Sequence, residues 1–200
     1  MAQIKQEKKI ILASGSRTRA QMLKNLGLTI EIIPSDLDED TFKAQSLAPS
    51  QLAIQLAHAK AQIVSQKYPD TYVIAADQVC QINNEILGKP LDIESNIQHL
   101  QKLSGKVHLQ HCANVIYFNQ KSIFELCKSP ELKMRSLNIE EIKAYIALDN
   151  PLNAAGGFHF EGYGKLLFEE IIGDHDAILG LTLVEILACL NKANAIKLTC

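Results

Sequence analysis

No two cysteines in this 200-residue chain form a CxxC pair. The five present, Cys80, Cys112, Cys127, Cys189 and Cys200, are odd in number and scattered. That pattern predicts reduced thiols in a cytoplasmic protein. HxH and HExxH spacings are absent among the six histidines, and His108 and His111 fall on opposite faces of a predicted strand, which argues against a structural zinc site. No apolar run approaches the ~20 residues of a membrane helix. Met1 to Lys9 is polar with three lysines, and Ile10 to Ala13 is too short for the core of a signal peptide. No membrane association is expected. Basic excess is lacking too: charged residues make up 21% with a formal net of -2. Nucleic acid is therefore a poor partner, whereas a nucleotide needs only a few local cations. The P-loop pattern GxxxxGK[ST] is also missing.

The chain does have apolar content, 47% of residues, enough for one domain or one domain with two lobes. Strand and helix patterns alternate without a repeat or a low-complexity linker. Strands are expected at Ile10 to Ser14, Thr29 to Ile33, Thr71 to Ala76 continuing as Val79 to Ile82, Val107 to Phe118, Ser122 to Cys127 and Glu131 to Leu137. Turns are expected at Asn83-Asn84 and Asn119-Gln120. Helices are expected at Arg19 to Leu26, from a Ser50 cap to Lys67, at Asp92 to Leu103, from an Asn138 cap through Leu148, and at Leu183 to Leu190. Residues 34–49 read as a long loop. The class is α/β with a mixed sheet.

Five segments could carry chemistry. In "ILASGSRTRAQML", a short strand runs through Ser14, Gly15 and Ser16 into a helix bearing Arg17 and Arg19. Free N–H groups at a helix start attract anions, although the same residues also make an ordinary cap with solvated arginines. "PSDLDEDT" places Asp36, Asp38, Glu39 and Asp40 in five positions, which suits a divalent cation or simply a solvated acidic loop. Lys60 falls within the apolar stripe Ala53, Leu56, Ala57 and Val64, so its ammonium must snorkel or meet an anion. In "YVIAADQVCQINNEILGKP", an apolar strand ends on Asp77, at the edge where α/β folds present ligand-binding residues, and Lys89 returns between Gly88 and Pro90. Asp77 either caps a turn or, with Lys89 and a phosphate, makes a hydrolytic arrangement. Cys80 reads as a core residue with no adjacent base. "NAAGGFHFEGYG" mixes glycines with aromatics around Glu161, whose carboxylate can accept hydrogen bonds from a guanine edge.

Five segments in order, "LASGSRTR", "SDLDE", "LAHAKA", "AADQVCQINNEILGKP" and "AAGGFHFEGYG…LLFEEIIGDHDAILGL", resemble the Maf-like nucleoside triphosphate pyrophosphatases. The resemblance spans about Ile10 to Leu190. It implies a Maf/ITPase-like fold: a two-lobed mixed sheet flanked by helices, with a central cleft, in a single domain over residues 1–200, often as a homodimer. It also implies hydrolysis of a nucleoside triphosphate to the monophosphate and pyrophosphate with a divalent metal, Mg2+ or Mn2+. By match of motif, Asp77 is the proton acceptor. Ser14, Ser16, Arg19, Lys60 and Lys89 hold phosphates, and Glu39 joins Asp77 in serving the metal.

Three positions separate the branches of the family by substrate, here Thr18, Gln78 and Glu161. Gln78 and Glu161 match the 7-methyl-GTP branch rather than the UTP/dTTP branch, whereas Thr18 stands where an aromatic would stack on the methylated base. The family's Ser-Pro opening is Ser16-Arg17, and its late "GLPL" is Gly180-Leu181-Thr182-Leu183. The alternatives are a nucleotide-binding regulator without catalysis and a pyrophosphatase acting on dTTP, UTP or another modified nucleotide.

Overall fold

The computed structural model describes residues 3–43 and 45–199; Cys200 and the side chain of Asp40 lie outside what it describes. In chain order the elements are β1 (Gln3–Gln6), β2 (Ile10–Leu12), α1 (Arg17–Asn25), β3 (Ile30–Ile32), α2 (Asp40–Lys43), α3 (Pro49–Lys67), β4 (Tyr72–Ile82), β5 (Glu85–Leu87), α4 (Ile93–Leu103), β6 (Val107–Phe118), β7 (Lys121–Lys128), β8 (Glu131–Met134), α5 (Ile139–Asp149), β9 (Phe168–Ile172), α6 (His175–Leu179), α7 (Leu183–Lys192) and β10 (Ile196–Thr199). Short 3₁₀ helices occupy Ala155–Gly157 and Tyr163–Leu167. The α/β class with a mixed sheet is as expected.

The chain divides into two compact units, and β4 and β6 each pass from one into the other. The first holds the described residues up to Asp77, Cys112–Cys127, and those from Gly180 onward. In it β2 runs parallel to both β3 and β4. Ile10, Ile11 and Leu12 are wholly buried, as a short strand with parallel neighbours on both sides requires. β1 and β10 make a separate antiparallel pair. The second unit holds Gln78–His111 and Lys128–Leu179. There the ladders are antiparallel: β4 with β5, β6 with β8, and β8 with β9. Its core gathers Ile82, Leu100, Leu132, Ile142, Phe158 and Leu167 with their neighbours.

Several local expectations need correction. Asp77 does not end a strand; β4 is continuous from Tyr72 to Ile82, and Asp77 lies in its middle. Ser50 does not cap α3. Ala48 is the N-cap residue and Pro49 opens the helix, because the proline ring fixes a helical φ and lacks an N–H that would be orphaned there anyway. The supposed loop at residues 34–49 contains α2. By contrast, the Asn138 cap forms a full capping box with Glu141, and the 107–118 strand and its Asn119-Gln120 turn lie where expected. Both turn residues have positive φ, 49° and 61°, the two-residue geometry whose twist suits a hairpin.

Candidate active site

The site in the first unit begins where β2 stops. Leu12 is the last residue of β2 and lies opposite Ile74, whose carbonyl still accepts the N–H of Ala13 at 2.8 Å. Beyond Ile74, β4 continues without β2 beside it. The Ala76 carbonyl instead accepts a hydrogen bond from Arg19 Nη1 at 2.9 Å. The same nitrogen donates to Ser14 Oγ at 3.1 Å, and the Ser16 N–H donates to that oxygen at 3.3 Å. Ser16 caps α1 by accepting the Arg19 N–H at 3.3 Å. The serine-rich bend and the Asp77 strand are thus joined through one arginine, which is only 8% exposed. A guanidinium so buried needs partners, and a backbone carbonyl released from the sheet is one. Thr18 is half-buried in the first turn of α1.

Asp77 itself is 8% exposed. Its Oδ1 accepts a hydrogen bond from Lys60 Nζ at 2.5 Å, and the same ammonium lies 2.8 Å from Glu39 Oε1. Lys60 stands beside the buried stripe of α3, which includes Leu56, Ala57, Ala61 and Val64. Its ammonium therefore meets anions rather than snorkelling. Glu39 turns inward, so the acidic segment is not simply a solvated loop. Burial pushes the Asp77 carboxyl above its ordinary value; the Lys60 ammonium and then the Arg19 guanidinium pull against that rise, and Glu39 adds to it.

Two carboxylates converging on one cation also bear on the metal. Among the described residues, no group of three or more histidine, cysteine, aspartate or glutamate side chains could hold a metal ion. Glu39 and Asp77 form a pair, with the Lys60 charge standing between them as a cation would. Magnesium-type ions bind through one or two carboxylates and complete their shell with water and substrate phosphate. The donor set fits that mode.

The other expected residues lie in the second unit. Gln78 points to the opposite side of β4 from Asp77, since side chains alternate along a strand. Its Nε2 donates to the carbonyls of Ala177 at 3.2 Å and Ile178 at 2.9 Å, tying β4 to α6. Lys89 is exposed on the turn after β5. Glu161 is exposed between the two 3₁₀ turns. Nearby, the Tyr145 hydroxyl accepts the His159 N–H at 2.9 Å. Cys80 is wholly buried, with its thiol pushed up to about 12 by burial, as befits a core residue.

Sequence reasoning missed two buried amides. Asn114 Oδ1 accepts the Thr182 N–H at 2.7 Å at the start of α7. Asn96 sits in the buried stripe of α4 with Leu100 and Leu103, and donates to the Gly157 carbonyl at 3.0 Å. The signal for the second was present: an asparagine at helical spacing within an apolar face.

The family model described as Maf-like protein matches residues 9–193. A nucleoside triphosphate pyrophosphatase of Legionella pneumophila is 38% identical over 192 residues, covering 95% of this chain and 96% of the relative. A protein of the same description from Nitrobacter hamburgensis is 35% identical over 202 residues, 99% of this chain and 100% of the relative. A 7-methyl-GTP pyrophosphatase of Mesorhizobium japonicum is 38% identical over 194 residues, 94% and 98%. The solved structure of a HAM1 protein from Coxiella burnetii overlaps 64% of this chain and 73% of its own, with TM-score 0.41 and 18% identity.

Proposed function

This chain belongs to the Maf-like protein family, and on that premise we propose that it is a nucleoside triphosphate pyrophosphatase whose substrate is 7-methyl-GTP. The observation that carries the hydrolytic reading is the buried Asp77, ion-paired with Lys60 and raised above an ordinary carboxyl. A raised carboxylate is a better proton acceptor near neutral pH. Water attacks the α-phosphorus, its proton passes to Asp77, and the bond from the α-phosphorus to the bridging oxygen breaks. The leaving pyrophosphate keeps that bond's electron pair.

When bound, a divalent cation held by Glu39 and Asp77 supplies charge neutralisation to the phosphate oxygens. Lys60, within reach of both carboxylates, is placed to exchange a carboxylate partner for a phosphate oxygen. The bend from Ser14 to Ser16 presents hydroxyls and N–H groups at the start of α1, and the buried Arg19 charge favours an anion there. The protein itself gives no reason for glycine at position 15, where a Cβ would make only an ordinary 3.8 Å contact with Pro34. Glycine there keeps the outer side of the bend clear for a phosphate. The family resemblance, rather than any contact with these residues, assigns Lys89, exposed on its turn, to phosphate.

The base preference is supported by Glu161, by Gln78 following Asp77, and by the name of the Mesorhizobium relative. Thr18 offers no ring for stacking, and the Glu161 carboxylate would attract the cationic ring of a methylated base. The test is pyrophosphate release across a panel of nucleoside triphosphates including 7-methyl-GTP, GTP, UTP and dTTP, with Mg2+ or Mn2+. Fastest turnover of 7-methyl-GTP is expected, and Asp77→Asn is expected to keep nucleotide binding while lowering turnover by roughly 10²–10⁴. Tight binding without release on any substrate would make the protein a nucleotide-binding regulator. Full turnover by Asp77→Asn would remove Asp77 from the chemistry.

A further inference from the structure

We propose that Asn96 is a positioning residue for the Lys89 turn, reaching it through the 3₁₀ turn Ala155–Gly157; this rests on the reading of Lys89 as a phosphate-binding cation. Asn96 is wholly buried on the apolar face of α4, in register with Leu100 and Leu103. Its Nδ2 donates to the Gly157 carbonyl at 3.0 Å, while its Oδ1 is buried with no hydrogen-bond partner among the described residues. A half-satisfied amide in such a place is costly, whereas its one bond keeps the buried Gly157 carbonyl from being left unpaired. Something other than packing therefore accounts for it.

The Gly157 backbone is held tightly between two neighbours. Its φ is +77°, and a Cβ there would fall 1.9 Å from Asn96 Nδ2 and 3.6 Å from Pro90 Cγ. The segment therefore touches Asn96 through Gly157 and the Lys89 turn through Gly156. The turn is fixed at both ends. The Gly156 N–H donates to the Gly88 carbonyl at 3.1 Å, and the Leu91 N–H donates to the Leu152 carbonyl at 2.9 Å. Leu91 has a φ of +67°, a conformation a leucine adopts only when its surroundings impose it. Residues 88–91 are thus strapped onto residues 152–157, which Asn96 pins to α4. Lys89 is the cation at the tip of that strap, and an apolar residue at position 96 would unpin the 152–157 side of the strap from α4 and let the whole strap shift. A displacement on the order of 1 Å is enough to weaken a charge-assisted contact.

The experiment is a double-mutant cycle of Asn96→Leu and Lys89→Ala, read as kcat/KM for pyrophosphate release, with the thermal midpoint measured for each variant. Asn96→Leu, which leaves the Gly157 carbonyl without its donor, is expected to fold with a lower thermal midpoint and to lose about tenfold in kcat/KM. Lys89→Ala is expected to lose at least as much, and the double variant no more than Lys89→Ala alone. Additive losses would overturn the inference, because Asn96 would then act elsewhere. So would an unchanged kcat/KM in Asn96→Leu when Lys89→Ala is impaired. If Lys89→Ala is itself fully active, the phosphate role of Lys89 fails, and the inference with it. Should Asn96→Leu not fold, Asn96→Ala goes through the same cycle with the same outcomes.

Discussion

Replacing Lys60 by methionine isolates the electrostatics of the site. The ammonium stands 2.5 Å from Asp77 and 2.8 Å from Glu39, with side-chain exposures of 13% for Lys60, 10% for Asp77 and 26% for Glu39. Methionine keeps the length of the chain and removes the charge. The two carboxylate oxygens can be no further apart than these two contacts end to end, about 5.3 Å. At an effective dielectric of ~20, their repulsion at that separation is about 3 kcal/mol. Breaking a largely buried ion pair by removing one partner costs about 3–5 kcal/mol in measured cases. In the variant, Asp77, already raised by burial, gains a folded-state pKa further above the unfolded value. The variant's stability is then fullest below the unfolded carboxylate pKa and falls as pH rises through the folded one. Urea midpoints at pH 5 and pH 8 read this directly. Lys60→Met is expected to lose about 3–5 kcal/mol at pH 8 and markedly less at pH 5, and Mn2+ is expected to restore part of the loss at pH 8. A variant as stable as the parent at pH 8, or one with equal losses at both pH values, would show that the carboxylates are not held against each other and would refute the reasoning.

His108 is buried with neither ring nitrogen hydrogen-bonded among the described residues, and burial lowers its pKa to about 4. Its neutral form stabilises the fold above pH ~6.5; that contribution, about 3 kcal/mol at most, is lost as pH falls toward 4. His108→Phe should therefore flatten the fall in urea midpoint between pH 7.5 and pH 4.5. The Asn138–Glu141 capping box satisfies the first turn of α5 with two bonds of 2.9 Å. Asn138→Ala should lower stability by about 1 kcal/mol, read as a thermal midpoint, without altering pyrophosphate release.

Much of the fold was legible because its signals are local. The run from Val107 to Phe118 is apolar and rich in strand formers, and Asn119-Gln120 supplies residues that accept positive φ. The α5 cap is a four-residue pattern. What could not be read depends on partners distant in the chain. Asp77-Gln78 resembles a strand end because two polar residues interrupt an apolar run. β4 continues through them because Lys60, 17 residues earlier, neutralises the first, and the carbonyls of Ala177 and Ile178, about 100 residues later, take up the second. Glu39 looked like part of a solvated loop for the same reason: its partner lies on α3. Strands β1, β9 and β10 are short, and β9 and β10 are half exposed, so no clear alternation marks them. The candidate residues Ser14, Ser16, Arg19, Lys60 and Asp77 were each visible as types at suggestive positions. That Arg19 serves a backbone carbonyl was not visible, because the need arises only where β2 ends.

The charges around Asp77 carry the argument one step further. The ionic groups joined around Asp77 are two acids, Asp77 and Glu39, and two bases, Lys60 and Arg19. The cluster is formally neutral by itself, and each base already has a partner: Lys60 the two carboxylates, Arg19 a carbonyl and a hydroxyl. A triphosphate brings three or four negative charges. A neutral cluster gives it no net attraction, so a base that turns toward phosphate leaves a carboxylate uncompensated in a poorly solvated place. Binding therefore requires positive charge from outside the cluster. Under the proposed function, a divalent cation held by Glu39 and Asp77 would meet that need. On this accounting, nucleotide and metal would bind as mutually dependent ligands, each weak without the other, and Glu39→Gln is expected to weaken Mn2+ binding, read by titration of the metal with and without nucleotide.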